Sequence, residues 1–176
     1  MSQVAAQART SKTVVYRHFA DKTDLYLAVC ERVATVLVDQ LQEAMREVTE
    51  PARTLRAGID AYLGLIEADP DVYRYVMRPP RLDRPVGGDG TDPVSHLTTL
   101  IGDHVGEIIS VELRRRGRDP EPAATWGHAL VGMVRAAADQ WLGSRPEVSR
   151  EVLARQLADL AWEGLSRTVN HAAQSA

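Results

Sequence analysis

Apolar positions along this chain recur at three- and four-residue spacings and almost never alternate, which is the pattern of helices rather than strands. The repeats break at proline, glycine and aspartate. Asp69-Pro70, Asp92-Pro93 and Asp119-Pro120 each read as a helix start. The carboxylate accepts the free first-turn N–H groups, and proline follows where no N–H is needed. Asp21 with Asp24 three residues on resembles a capping box. These marks predict a short helix ending near Ala8, a second over about 11–18 and a long third over about 22–47. Further helices are expected at about 51–68, 70–77, 93–116, 120–143 and 147–170. The glycine-rich stretch from Arg81 to Thr91 is the longest expected loop, and the small, polar tail after Asn170 is expected to fray. Arg114, Arg115 and Arg116 precede Gly117, as cations do at a helix C-terminus closed by a C′ glycine.

The two last helices carry more apolar surface than one neighbour can cover. Ala123, Trp126, Leu130, Val131, Met133, Val134, Ala137 and Trp141 leave the seventh apolar nearly all round. The eighth has one stripe of Leu153, Leu157, Leu160 and Gly164 beside another of Ala154, Ala158, Ala161 and Leu165. Two adjacent stripes point to burial against both the chain's own core and a second copy. Leu130, Val134, Ala137, Leu153, Leu157, Leu160 and Leu165 are the candidate contacts between copies.

The densest chemical signal lies in VAAQARTSKTVVYRHFADKTDL, from Val4 to Leu25. Ser11 is placed to cap a short helix. At 100° per residue Lys12, Thr13, Tyr16 and Arg17 share a polar face, and Val15 and Phe19 lie opposite. One face anchors the helix and the other offers donors, as a major-groove reader requires. The next helix begins at Lys22, whose ammonium and neighbouring N–H groups suit a phosphate. Lys22 could equally pair with Asp21 or Asp24.

This segment resembles the end of the helix-turn-helix of TetR-family regulators, I-A-x-x-A-G-V-S-x-x-x-x-Y-x-H-F-x-x-K-x-x-L. Val4, Ala5, Ala8, Ser11, Tyr16, His18, Phe19, Lys22 and Leu25 fall at matching spacings. Arg9 stands where the pattern has its turn glycine, and Thr10 where it has a buried valine. A non-glycine residue at that turn is strained or reshapes it. The pattern starts at the chain's first residues, so a head without the family's first helix is expected.

The resemblance implies an all-α, TetR-like fold: a partial helix-turn-helix head over residues 1–26 and a helical ligand-binding and dimerisation body over 27–176. It implies that Ser11, Lys12, Thr13, Tyr16, Arg17, His18 and Lys22 serve DNA, with Lys12 and Thr13 at the groove and Tyr16, His18 and Lys22 on phosphates. It places an inducer pocket among the body helices. Tyr62, Ile66, Tyr73, Met77, Leu100, His104, Trp126, Met133 and Trp141 supply the large apolar surfaces and few polar tips that suit one. The implied protein is a homodimeric, ligand-responsive repressor of a double-stranded DNA operator, released by a small hydrophobic inducer. The alternative is a ligand-binding and dimerising module whose head does not bind DNA.

Charge fits a DNA-facing tip. The chain of 176 residues has net charge −3, but Arg9, Lys12, Arg17 and Lys22 against Asp21 and Asp24 leave the first 26 residues at +2. With 44% apolar residues a real core is possible. A single cysteine, Cys30, allows no intrachain disulfide. With no signal peptide and no long apolar run, a cytoplasmic protein without a membrane partner is expected. Enzymatic constellations are missing: His96 and His104 are poorly aligned on a helix, His128 stands alone, and neither a phosphate-binding glycine loop nor a nucleophile elbow occurs. No catalytic residue, metal or cofactor is implied.

Overall fold

The computed structural model describes residues 1–46, 48, 50–78, 81–83, 93–143 and 148–171; among them lie eight helices and no strand. They are α1 (Ser2–Gln7), α2 (Lys12–His18), α3 (Lys22–Arg46), α4 (Pro51–Ala68), α5 (Pro70–Met77), α6 (Pro93–Arg115), α7 (Ala123–Gly143) and α8 (Arg150–His171). Asp92, most of the Gly-rich stretch (84–91) and the last residues of the tail (172–176) fall outside the described residues.

Local chemistry sets most of the boundaries. Ser11 Oγ accepts from the Val14 N–H at 3.2 Å and starts α2. Asp21 Oδ1 accepts from the Asp24 N–H at 2.8 Å, while Asp24 Oδ2 reaches back to the Ala20 N–H at 3.1 Å, so the two aspartates bracket the first turn of α3. Asp69 Oδ1 takes the Val72 N–H at 3.1 Å, with Pro70 in the first helical position. Asp119-Pro120 behaves differently. Its carboxylate accepts only from the Glu121 N–H, at 3.0 Å, and α7 begins three residues later than expected, at Ala123. The cause is Pro122, whose ring disfavours helical backbone at Glu121. Helix α8 likewise starts at Arg150, not near residue 147, with Ser149 Oγ accepting from the Val152 N–H at 3.4 Å.

Two helix ends share one geometry. After α1 the Thr10 N–H donates to the Ala5 carbonyl at 2.9 Å and the Arg9 N–H to Ala6 at 3.1 Å. After α6 the Arg118 N–H donates to Leu113 at 2.8 Å and the Gly117 N–H to Arg114 at 2.9 Å. Both are Schellman closures, which need a left-handed residue in the middle. Gly117 supplies it with φ 67°, and Arg9 with φ 50°. Two arginines of the basic triplet before Gly117 are tied down locally, since Arg116 Nε lies 2.7 Å and Arg115 Nε 3.6 Å from the Glu112 carboxylate.

The main core joins α4, α5, α7 and α8. Ile59, Leu63, Ile66, Tyr73, Leu130, Val134, Ala138, Trp141, Ala154, Leu157 and Ala158 form one buried cluster. Helices α6 and α7 run antiparallel at very close range. A Cβ on Gly127 would stand 2.4 Å from the Gly102 carbonyl oxygen and 2.8 Å from Gly106 Cα, so the helices can approach this closely only while that position is glycine. Arg150 holds the start of α8 to α4, with Nε 3.1 Å from Asp60 and Nη1 3.3 Å from Glu67. A smaller cluster of Tyr26, Cys30, Val76 and Val94 joins α3, α5 and α6. There the Tyr26 hydroxyl donates to the Val76 carbonyl at 2.8 Å.

Candidate nucleic-acid interface

Helix α2 is anchored by one residue and presents most of the others. Val15 is 6% exposed and Phe19, just past its end, is half-buried. Ser11, Lys12, Thr13, Tyr16, Arg17 and His18 are all exposed. Tyr16, at 46%, stands outside the head's core, and the Lys12 ammonium lies 5.6 Å from its ring centroid. That cation–π contact holds two donors on one side of the helix. Helix α1 packs on α2 more than on any other element, with Ala5 as its buried residue.

Lys22 departs from the expected alternatives. Its partner is neither Asp21 nor Asp24 but Asp83, distant in sequence. The Asp83 carboxylate accepts from the Lys22 N–H at 3.1 Å and lies 3.8 Å from its ammonium. Nothing local in the sequence marks this pairing.

The residues expected around a ligand divide into two groups. Tyr62, Ile66, Tyr73, Met77, Met133 and Trp141 meet in or against the main core. Leu100, at 51% exposure, and His104 face outward on α6, and Trp126 is half-buried on α7. Inside the first group the Tyr73 hydroxyl donates to Asp139 Oδ1 at 2.8 Å, and the Tyr62 hydroxyl donates to that of Tyr73 at 3.5 Å. Burial, above all, raises the pKa of both tyrosines from the ordinary value of 10.0; for Tyr73 the adjoining Tyr62 and Asp139 add to it. Two shallow grooves among the described residues lie elsewhere. The larger, about 400 Å³, is lined by Gln40, Glu43, Asp60, Gly64 and Arg150 among others, and none of the expected ligand residues borders it.

The stripes expected to meet a second copy also divide. Leu130, Val134 and Leu157 are buried within the chain's own core, with Ala137 and Leu153 packed against it. Periodicity shows that a stripe is covered but not by what. Leu160 is 62% exposed and Gly164 is also exposed. The Leu165 side chain lies outside the described residues. Among the described residues no group of His, Cys, Asp or Glu could hold a metal ion, and no helix is long and apolar enough to cross a membrane.

Comparison with known proteins decides what this arrangement is. Residues 1–29 match the family described as bacterial regulatory proteins, tetR family, and residues 40–176 match tetracyclin repressor-like, C-terminal domain. The chain belongs to the TetR family. It is 30% identical over 166 residues to the HTH-type transcriptional activator FasR of Mycolicibacterium smegmatis, covering 94% of this chain and 73% of the relative. It is also 30% identical over 173 residues to the uncharacterized HTH-type transcriptional regulator Rv0472c of Mycobacterium tuberculosis, covering 94% of this chain and 68% of the relative. This TetR-family chain is therefore a DNA-binding transcriptional regulator with an all-α fold.

Proposed function

We propose that this TetR-family chain acts as a homodimer that reads an operator through α2 and is controlled by a small apolar ligand. The head spans residues 1–26 and the ligand-binding and dimerising body residues 27–176. The observation that carries the reading is the split of α2: Val15 is held inside while Lys12, Thr13, Tyr16, Arg17 and His18 all stand exposed. Lys12 and Thr13, in the first turn, meet base edges; Tyr16, His18 and Lys22 meet phosphates. Ligand acts by favouring a dimer whose two heads no longer match the half-site spacing. Its seat is the region around Tyr62, Tyr73, Met77 and Met133, where the Tyr73–Asp139 pair offers a polar end in an apolar surround. The body contacts between copies centre on the outer side of α8, around Leu160. Repression released by ligand is the proposed sense of control; the relative FasR is named an activator.

Selection of binding sites from a random duplex pool tests this. The Thr13→Ala variant should select a different sequence from the unaltered chain. Lys22→Ala should keep the preference, weaken binding to every sequence and flatten the salt dependence by about one unit of slope per site. Recovery of the same sequence by both Thr13→Ala and Lys12→Ala, at unchanged affinity, would remove α2 from base reading.

A further inference from the structure

The contact between Asp83 and Lys22 joins the head to the body at the place where a phosphate is expected. Lys22 opens the 25-residue helix α3, and its backbone N–H and ammonium both face one carboxylate. A carboxylate oxygen and a phosphate oxygen ask for the same donors, and both are favoured by the positive end of a helix. One N–H cannot serve both at full strength. The pair is also accessible, with the Lys22 and Asp83 side chains 50% and 48% exposed, so DNA can compete for it.

From this geometry we propose that Asp83 is an internal competitor of the operator phosphate, an autoinhibitory contact that DNA must displace to engage Lys22. The inference rests on the phosphate role assigned to Lys22 above. The placement of Asp83 gives the contact a second consequence. Asp83 follows α5 in the chain, and α5 is fixed at both ends of its inner face. Tyr73 bonds Asp139 on α7, and the Val76 carbonyl accepts from Tyr26, one turn along α3 from Lys22. Leu82, next to Asp83, packs against the cluster that holds Val76 and Tyr26, so a shift of α5 that follows a change around Tyr73 acts on Asp83 through that packing. The body thus reaches the phosphate site through α5 as well as along α3 itself, which packs on α4, α5 and α6.

The test uses the full chain with a random-sequence duplex, because phosphate contacts do not depend on base sequence. Asp83→Ala, which removes both charge and acceptor, should tighten binding about three- to fivefold at low salt, the scale of one exposed ion pair. Asp83→Asn keeps an acceptor for the Lys22 N–H and should gain less. The gain should shrink as salt rises. Equal gains from the two variants would mean that only the long-range field of the lost charge matters, and would overturn the competition. Unchanged binding by Asp83→Ala would overturn it too, and weaker binding would do so by showing that Asp83 orients Lys22 for DNA. If the unaltered chain and both variants all fail to bind duplex, the phosphate role of Lys22 falls and the competition with it. A chain that binds while its variants gain nothing loses the competition alone.

Discussion

In α1 and α2 the buried side chains are Ala5 and Val15, while Val4, Val14 and Tyr16 are each more than a third exposed. In α4 the inner face is sealed, with Ile59, Leu63 and Ile66 all under 5% exposed. The difference fits the role proposed for each region. A helix that reads DNA keeps its polar face open and is held by few contacts. A body helix is free to bury a full stripe against several neighbours, and Leu63 and Ile66 share a cluster with residues of α5, α7 and α8. Buried contacts are therefore concentrated away from the helix proposed to read DNA, as expected where a binding surface is held by few buried contacts.

The comparison breaks most sharply under truncation. Leu63→Ala should cost about 2–5 kcal/mol, because a fully buried leucine leaves a cavity lined by several helices. At roughly 2–4 °C per kcal/mol for a chain of this size, the main thermal transition followed by circular dichroism should fall visibly. Val15→Ala removes two buried carbons, about 1.5 kcal/mol at ~0.8 each. That loss belongs to the head: binding to duplex DNA should weaken while the main transition stays within a degree or two. A main transition lowered by Val15→Ala in proportion to its smaller cost would show that head and body unfold as one unit.

What was legible in the sequence divides along the same line. Contacts within a few residues were readable. Ser11, Asp21 and Asp69 cap the helices that their positions announced, and Gly117 closes α6 behind its arginines. Asp119-Pro120 carried the same mark, but Pro122 moved the start of α7, so even a local rule fails when a second local rule competes. Contacts that depend on the fold were not readable. Lys22 meets Asp83 across 61 residues, and no periodicity places that carboxylate. Leu157 and Leu160 belonged to one expected stripe, yet one is buried in the chain's own core and the other is 62% exposed. Helical spacing of three puts the two about 60° apart around α8, enough to divide them between an inner and an outer side.

A smaller effect sharpens the account of the body. The raised Tyr73 pKa means that the folded chain keeps a proton which the unfolded chain releases above pH 10.0. The sign follows: this contribution is whole below the unfolded pKa and is lost as pH rises above it. Tyr73→Phe gives up the bond to Asp139, worth about 1 kcal/mol at neutral pH. In exchange its melting temperature should fall less steeply between about pH 9 and pH 11 than that of the unaltered chain. Tyr62, raised by its own burial, leaves a residual slope in the variant. Parallel melting curves over that range would mean that Tyr73 ionises in the folded chain as easily as in the unfolded one.

The smallest expected effect compares the two Schellman closures directly. They make the same pair of hydrogen bonds, but the head places Arg9 at φ 50° where the body places Gly117 at φ 67°. A left-handed conformation costs a residue with a Cβ about 1 kcal/mol or more, and costs glycine almost nothing. Arg9→Gly should relieve that strain, and Gly117→Ala should introduce it. Space does not complicate the second change, because a Cβ on Gly117 meets nothing within 4 Å. The two substitutions should therefore have opposite signs and similar size, about 1 kcal/mol each. They should also be read in different places. Arg9→Gly should slow amide hydrogen exchange in α1 and α2, where few buried contacts resist local opening, and barely move the main transition. Gly117→Ala should lower the main transition by a few degrees, because Gly117 closes α6, the helix packed closely on α7. Should Arg9→Gly speed exchange in the head instead, the arginine side chain contributes more there than its backbone conformation costs.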